Sequence, residues 1–326
     1  MVTKADVFVV IGNNEKLWNQ FELTEYLLNN QHQHIQLMIL PEAICLETIG
    51  LYKLLDLFSF AQVDIFTENM LERHNRYNII SKWFNIWLKK IPQLDLKSLH
   101  TWNQKKRFMC CYHRPTASRM GITAYLFKHH RETSHIHWPD LADKNPIKFK
   151  MYEFDKLASY RTESILEVGE MLPYMPLKAF ENVDLSEIHA RFHYDFHADD
   201  HTKLYADSFV DIISETHVLG NTFYPTEKTA RVLWLKTPFI VFSTKGYLAH
   251  LRQMGFQTFG DFWSESYDDY DDKERFNRIL TLIDSLAEKS IDELQEIYIA
   301  MQPMLENNFQ LMKNQSYSTG ITPLPY

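Results

Sequence analysis

The sequence predicts an α/β protein made of two Rossmann-like halves, each a parallel sheet covered by helices. Three observations predict it. Short apolar runs alternate with segments of helical period along most of the chain. The alternation breaks once, between Pro92 and Lys106, where polar residues gather. At 326 residues, 45% hydrophobic and 23% charged, the chain is long enough for two ordinary cores and is not of disordered composition.

The first half opens with DVFVVIG over Asp6–Gly12, a short buried strand. Glu15–Asn29 follows as a helix, its apolar face carried by Leu17, Trp18, Phe21, Leu27 and Leu28. His34–Leu40 (HIQLMIL) is the second strand, Ala43–Phe58 a helix, and Val63–Thr67 (VDIFT) the third strand. Leu71–Ile91, rich in Trp and Phe, reads as a helix, and Pro92–Lys106 as the interdomain linker.

The second half repeats the alternation. Arg107–Tyr112 (RFMCCY) is strand-like, and Arg119–His130 is a helix started by Ser118. Phe209–Ser214 (FVDIIS) is a strand, Glu227–Lys236 a helix and Pro238–Ser243 (PFIVFS) a strand. Two amphipathic helices, about 275–288 and 291–314, are long enough to pack back across the domain junction. The expected domains are therefore 1–100, 101–265 and a helical 266–326, without internal repeats.

Composition narrows the function. Before Asp6 there is neither a basic leader nor a cleavable apolar core, and no apolar run approaches the roughly 18 residues of a membrane span, so a cytoplasmic protein without membrane insertion is expected. Cys45, Cys110 and Cys111 form neither a disulfide framework nor a metal knuckle. Net charge is −8, yet Lys89–Arg131 holds ten Lys or Arg against the single acid Asp95, so this stretch carries +9 and the rest −17. Such a belt is either a solvated face or a cleft for a polyanion or diphosphate. Gly12 and Gly50 stand alone, so neither the Walker nor the dinucleotide fingerprint is present, and no G-x-S-x-G elbow occurs.

Two strand-turn-helix units carry the candidate chemistry. In RFMCCYHRPTASRMGITAYLF, His113, Arg114, Pro115, Thr116 and Ser118 occupy the turn after a strand, where α/β sheets bind ligands. Arg119 then falls in the first helical turn, where the macrodipole repels a cation by about 0.3–1 kcal/mol. An anion would reverse that penalty, and a diphosphate would meet free helix N–H groups and guanidinium forks together. In the second unit Tyr224, Glu227 and Lys228 stand at a helix start. Ala230, Leu233, Trp234 and Thr237 follow an i, i+3, i+4, i+7 stripe that buries one face, which leaves Glu227 and Lys228 on a rim. A rim carboxylate can chelate ribose hydroxyls and a rim ammonium can neutralise phosphate; the bland alternative is a solvated ion pair.

YPTEK, the apolar helix after it and the strand PFIVFS together resemble the donor-binding signature of the alpha-1,3-fucosyltransferases, and more closely the GT-B-like glycosyltransferases of bacteriophage genomes. The likeness spans about residues 105–265. It implies a GT-B fold and transfer of a sugar from a nucleoside-diphosphate sugar, with Tyr224 on the nucleoside, Glu227 on ribose, Lys228 on phosphate and Arg119 on the diphosphate. Arg114 and Glu215 complete the expected donor site, although Thr216 follows Glu215 where the fucosyltransferase strand ends in Glu-Asn, so the base is not specified. The resemblance also implies a carboxylate base on the acceptor side. Glu42, directly after HIQLMIL, is the first candidate, with Glu47 and Glu68 behind it.

No cofactor beyond the donor co-substrate, and no metal, is expected. The acceptor is a hydroxyl on a glycan or on a hydroxymethylated DNA base; for DNA the basic belt would track phosphates and affinity would fall steeply with salt. Other readings are a nucleotide-sugar-binding protein without chemistry and a metal hydrolase. His189, His193, His197 and His201, interleaved with Asp195, Asp199 and Asp200, have suitable ligand types but no apolar face to fix them. Asp269-Tyr270-Asp271 matches a D-x-D spacing inside an acidic run and reads as a solvated turn.

Overall fold

A computed structural model describes residues 7–12, 20–40, 45–81, 102–112, 115–138, 151–177, 179, 204–216, 218 and 220–318. The chain forms two compact units. Unit 1 comprises Met1–Asn85 with His217–Pro225, and unit 2 comprises Ile86–Thr216 with Thr226–Tyr326.

Unit 1 holds the strands β1 (Val7–Gly12), β2 (His34–Leu40), β3 (Gln62–Thr67) and β4 (Asn78–Ser81), parallel and in that spatial order. The register sets Val7 beside Ile35 and Ile35 beside Val63. Helix α1 (Gln20–Asn29) buries Leu23 and Leu27, one turn apart on the same face, with Ile35, Leu37, Leu55, Val63 and Ile65 in the same core. Of the helix expected over Ala43–Phe58, residues 43–44 lie outside the described residues, and among the described ones only α2 (Leu51–Leu55) is helical, because Gly50 takes a left-handed φ of 77° immediately before it. The helix expected over Leu71–Ile91 is also corrected where it is described, since Asn78–Ser81 pairs as β4 along β3, while residues 82–91 lie outside the described residues. Tertiary pairing overrides local period here: Asn78 Nδ2 donates to Asp64 Oδ1 at 2.9 Å, in a network that also takes His34 Nε2 at 2.9 Å and Gln62 Nε2 at 2.8 Å. These donors hold the Asp64 carboxyl below its usual range despite the opposing effect of burial.

Unit 2 holds β5 (Lys106–Cys111), β6 (Ser134–His137), β7 (Ser208–Ser214) and β8 (Phe239–Phe242), parallel and in the order β6-β5-β7-β8. β7 is buried along its whole length, as expected of a central strand with both faces covered. Its helices are α3 (Ala117–His129), α4 (Met151–Tyr160), α5 (Glu163–Met171), α6 (Glu227–Trp234), α7 (Tyr247–Gln253), α8 (Asp272–Ala287) and α9 (Ile291–Ser318). The predicted parallel α/β architecture is thus present in both units. α3 starts from Thr116 as N-cap rather than from Ser118. Of the expected linker, residues 92–101 lie outside the described residues, and its end is docked. Trp102, 4% exposed, donates Nε1 to the carbonyls of Lys106 and Asp207 at 3.1 and 3.2 Å.

α8 packs on β8, α3 and α4, while α9 packs on α6. Gly121 permits the first of these approaches: a Cβ there would lie 2.6 Å from both Leu157 Cδ1 and Phe276 Cζ. Gly121→Ala is accordingly expected to destabilise the protein by about 1–2 kcal/mol, because the overpacking cost exceeds the roughly 1 kcal/mol gained in helix propensity. A lower urea midpoint with unchanged slope would record it. Among the described residues no helix is long and apolar enough to cross a membrane.

Candidate functional site

In unit 2 the first strand, β5, has β6 on one side and β7 on the other, so the chain changes direction across the sheet between β5 and β7. Ligands of open α/β sheets bind beyond the carboxyl ends of strands at such a point. The first turn of α3 reaches it. Ser118 Oγ lies 3.0 Å from Ser214 Oγ, and Arg119 converges Nε and Nη2 on the Ser214 carbonyl oxygen at 3.3 and 3.0 Å. The guanidinium also lies over the Tyr112 ring, 5.8 Å from its centroid. Arg119 is 3% exposed, and a carbonyl at a strand end gives its fork a negative partner while fixing the plane of the group.

Lys228 approaches the same strand end from α6. Thr226 is the N-cap, and its Oγ1 accepts from Lys228 N at 3.2 Å. Lys228 Nζ lies 2.7 Å from Glu227 Oε1, 3.3 Å from Thr226 Oγ1 and 3.5 Å from Thr216 Oγ1. The two cations thus contact Ser214 and Thr216, on either side of Glu215. Lys228 has an acid of its own in Glu227, but the pair is not a solvated surface bridge, since the two side chains are 14% and 12% exposed.

Glu215 is 1% exposed. Its Oε1 accepts from Thr226 N at 3.2 Å, Thr229 Oγ1 at 2.6 Å and Tyr247 OH at 2.9 Å, and its Oε2 accepts from Thr226 Oγ1. Two residues from β7 outward, Asp211 and Glu215, therefore point carboxylates at α6; Asp211 accepts from Tyr205 OH at 3.0 Å and interacts with Arg231. Burial pushes Asp211 up to about 6, against the Arg231 charge and the Tyr205 hydroxyl. Burial also pushes the Cys110 thiol up to about 12, which removes it as a nucleophile at neutral pH.

Two of the helix beginnings already hold carboxylates that sequence reasoning missed. Glu153 Oε2, from α4, accepts from Ala117 N at 2.7 Å. Asp268 Oδ2 accepts from Leu248 N and Ala249 N at 2.9 and 3.3 Å. Neither is signalled locally, because Glu153 is 36 residues from the amide it meets. Thr226 did carry a signal, a Thr directly before an acidic helix start. In the acidic run, Asp269 and Asp271 are exposed, and Asp271 Oδ1 caps α8 by accepting from Glu274 N at 3.0 Å.

The other predicted site residues fall elsewhere. Glu42, Arg114 and His189–His201 lie outside the described residues. Tyr224 is buried and belongs to the 217–225 segment of unit 1; Glu68 is buried at the end of β3, and Glu47 is exposed. Among the described residues, no group of three or more His, Cys, Asp or Glu could hold a metal ion. The described cations of the +9 stretch are engaged locally. Lys105 pairs with Asp207, Lys106 meets the Glu132 carbonyl, Arg107 the Lys289 carbonyl and Lys128 Glu170, while Arg131 stacks over Phe127 and Tyr174.

No protein-family model matches the chain, and no curated protein matches it. Two solved structures are similar to it. One is trehalose-6-phosphate from E. coli bound with UDP-2-fluoro glucose, at 10% identity over 96% of this chain and 73% of that one, with a TM-score of 0.38. The other is trehalose-6-phosphate synthase OtsA, at 9% identity over 97% and 73%, with a TM-score of 0.39. Likeness at this level bears on neither the ligand nor the activity of this chain.

Proposed function

We propose that the protein is a glycosyltransferase of the GT-B type that takes its sugar from a nucleoside-diphosphate donor. The observation that carries this reading is the approach of Arg119 and Lys228, both in first turns of helices, to the two residues flanking Glu215 beyond the end of β7. A diphosphate received there would meet two cations and two helix dipoles beside the β5/β7 switch point, as the donor residues require. Lys228 would exchange Glu227 for phosphate, which releases Glu227 to the ribose hydroxyls, and Tyr224 would take the nucleoside. As the nucleoside diphosphate leaves, its growing charge would be stabilised by donors already in place. Metal is not needed in this account. Glu42 keeps the role of base toward the acceptor hydroxyl.

The acceptor in this reading is a hydroxyl on a glycan or on a hydroxymethylated DNA base, and a steep fall of affinity with salt would single out DNA. A binding protein that keeps the pocket without chemistry is the second reading, and it predicts affinity without turnover.

The test is a thermal-shift screen of UDP, GDP, CMP and their sugars on wild type and on Arg119→Ala. A ligand at 100 times its Kd stabilises the folded protein by about 2.7 kcal/mol, and a tenfold loss of affinity reduces this to about 1.4 kcal/mol. Wild type is expected to respond to one nucleotide series and Arg119→Ala to respond roughly half as strongly. No response to any of them, or equal shifts in both proteins, would remove the donor site. Release of nucleoside diphosphate from the responding sugar then separates enzyme from binder.

A further inference from the structure

Four groups lie within hydrogen-bond reach of the Glu215 carboxylate: Thr226 N, Thr229 Oγ1 and Tyr247 OH on Oε1, and Thr226 Oγ1 on Oε2. Three come from the start of α6 and the fourth from the start of α7. Its own amide donates to the Phe242 carbonyl at 3.0 Å, which fixes the residue to the end of β8. Glu215 is 1% exposed, and both of its carboxylate oxygens are engaged by donors of the protein. Beside its expected place in the donor site, these bonds give Glu215 a second role.

We propose that Glu215 is a positioning residue, which sets the direction of the Thr226 hydroxyl and thereby the place of Lys228. A threonine hydroxyl has one proton and two lone pairs. Glu215 Oε2 takes the proton. The oxygen is then left as an acceptor, and it receives Lys228 N at 3.2 Å and Lys228 Nζ at 3.3 Å. The buried acid thus orders the α6 cap through one hydroxyl and the ammonium through the same oxygen, while Tyr247 extends the order to α7. The proposal rests on the donor-site reading only for what Lys228 binds.

Glu215→Gln tests it, because one amide N–H would have to face a hydroxyl oxygen. Facing Thr226 Oγ1, it would compete with Lys228 for the lone pairs. Two measurements on the full chain decide the matter. Hydrogen exchange is expected to speed at least tenfold at 226–230 and at 247–251 in the variant, with α8 unchanged. Inorganic pyrophosphate, which needs no knowledge of the base, is expected to bind about tenfold more weakly, while a control substitution at the exposed Asp269 leaves its affinity intact. Unchanged exchange would overturn the proposal, and so would looser exchange with unaltered pyrophosphate affinity, which would make Glu215 structural only. A wild type that does not bind pyrophosphate, with exchange still loosened in the variant, would retract the diphosphate reading and uphold Glu215 as organiser of the two helix starts.

Discussion

Asn69→Ala is expected to lower the stability of unit 1 by about 3 kcal/mol, a large part of the roughly 5–15 kcal/mol that holds a domain folded. Asn69 is 0% exposed and uses both ends of its amide. Nδ2 donates to Glu72 Oε2 at 3.0 Å and to the Asn221 carbonyl at 3.1 Å, while Oδ1 accepts from Leu71 N at 3.2 Å and Phe223 N at 3.0 Å. Met70 N adds a backbone bond to the Phe223 carbonyl at 3.0 Å. Truncation takes their side-chain partner from the Leu71 and Phe223 amides, while Glu72 Oε2 keeps Leu46 N, and the desolvation cost of the amides, rather than the net worth of four hydrogen bonds, sets the magnitude. The 217–225 segment is the stretch between Thr216 and Thr226, so the clamp holds the chain on its way from Glu215 to Glu227. Urea unfolding measures the loss, and hydrogen exchange over 220–225 is expected to rise first. Protection there equal to wild type would show that the segment is held by other contacts.

What the sequence reveals and what it hides follow from the range of the interactions involved. The strand at His34–Leu40 and the strand at the end of which Glu215 sits are runs of β-branched and large apolar residues, legible in their own composition. β4 and β6 are four residues each, NIIS and SHIH, too short for a period, and they exist because neighbouring strands pair with them. The period of Ala43–Phe58 predicts a helix, and among the described residues one glycine φ limits it to Leu51–Leu55. In the candidate site the cations are legible, since a positive charge at a helix start is a local anomaly. Their carboxylate surroundings are not: Glu153 reaches Ala117, and Asp268 reaches Leu248, only through the fold.

Asp211 shows how far that hidden chemistry reaches into stability. Its carboxyl faces Tyr205 and Arg231, with Cys111 and Tyr112 nearby, and burial outweighs the Arg231 charge, so its pKa rises from 3.8 to about 6. A carboxyl raised in the folded state binds its proton more tightly there than in the unfolded chain. Its contribution is therefore complete below about pH 4 and is lost as pH rises through about 6, a change on the order of 3 kcal/mol over that window. Asp211→Asn cannot titrate, so the stability of wild type relative to this variant is expected to fall by that amount between pH 4 and pH 7, whatever the offset at either end. Urea midpoints at intervals of one pH unit read the slope, and carboxylates common to both proteins cancel in the difference. The opposite slope would mean that the Arg231 charge dominates and holds the carboxyl below its ordinary value. β7 would then meet α6 through an ion pair, whereas the raised pKa makes it a neutral acid under mildly acidic conditions, four residues before the carboxylate that orders the α6 cap.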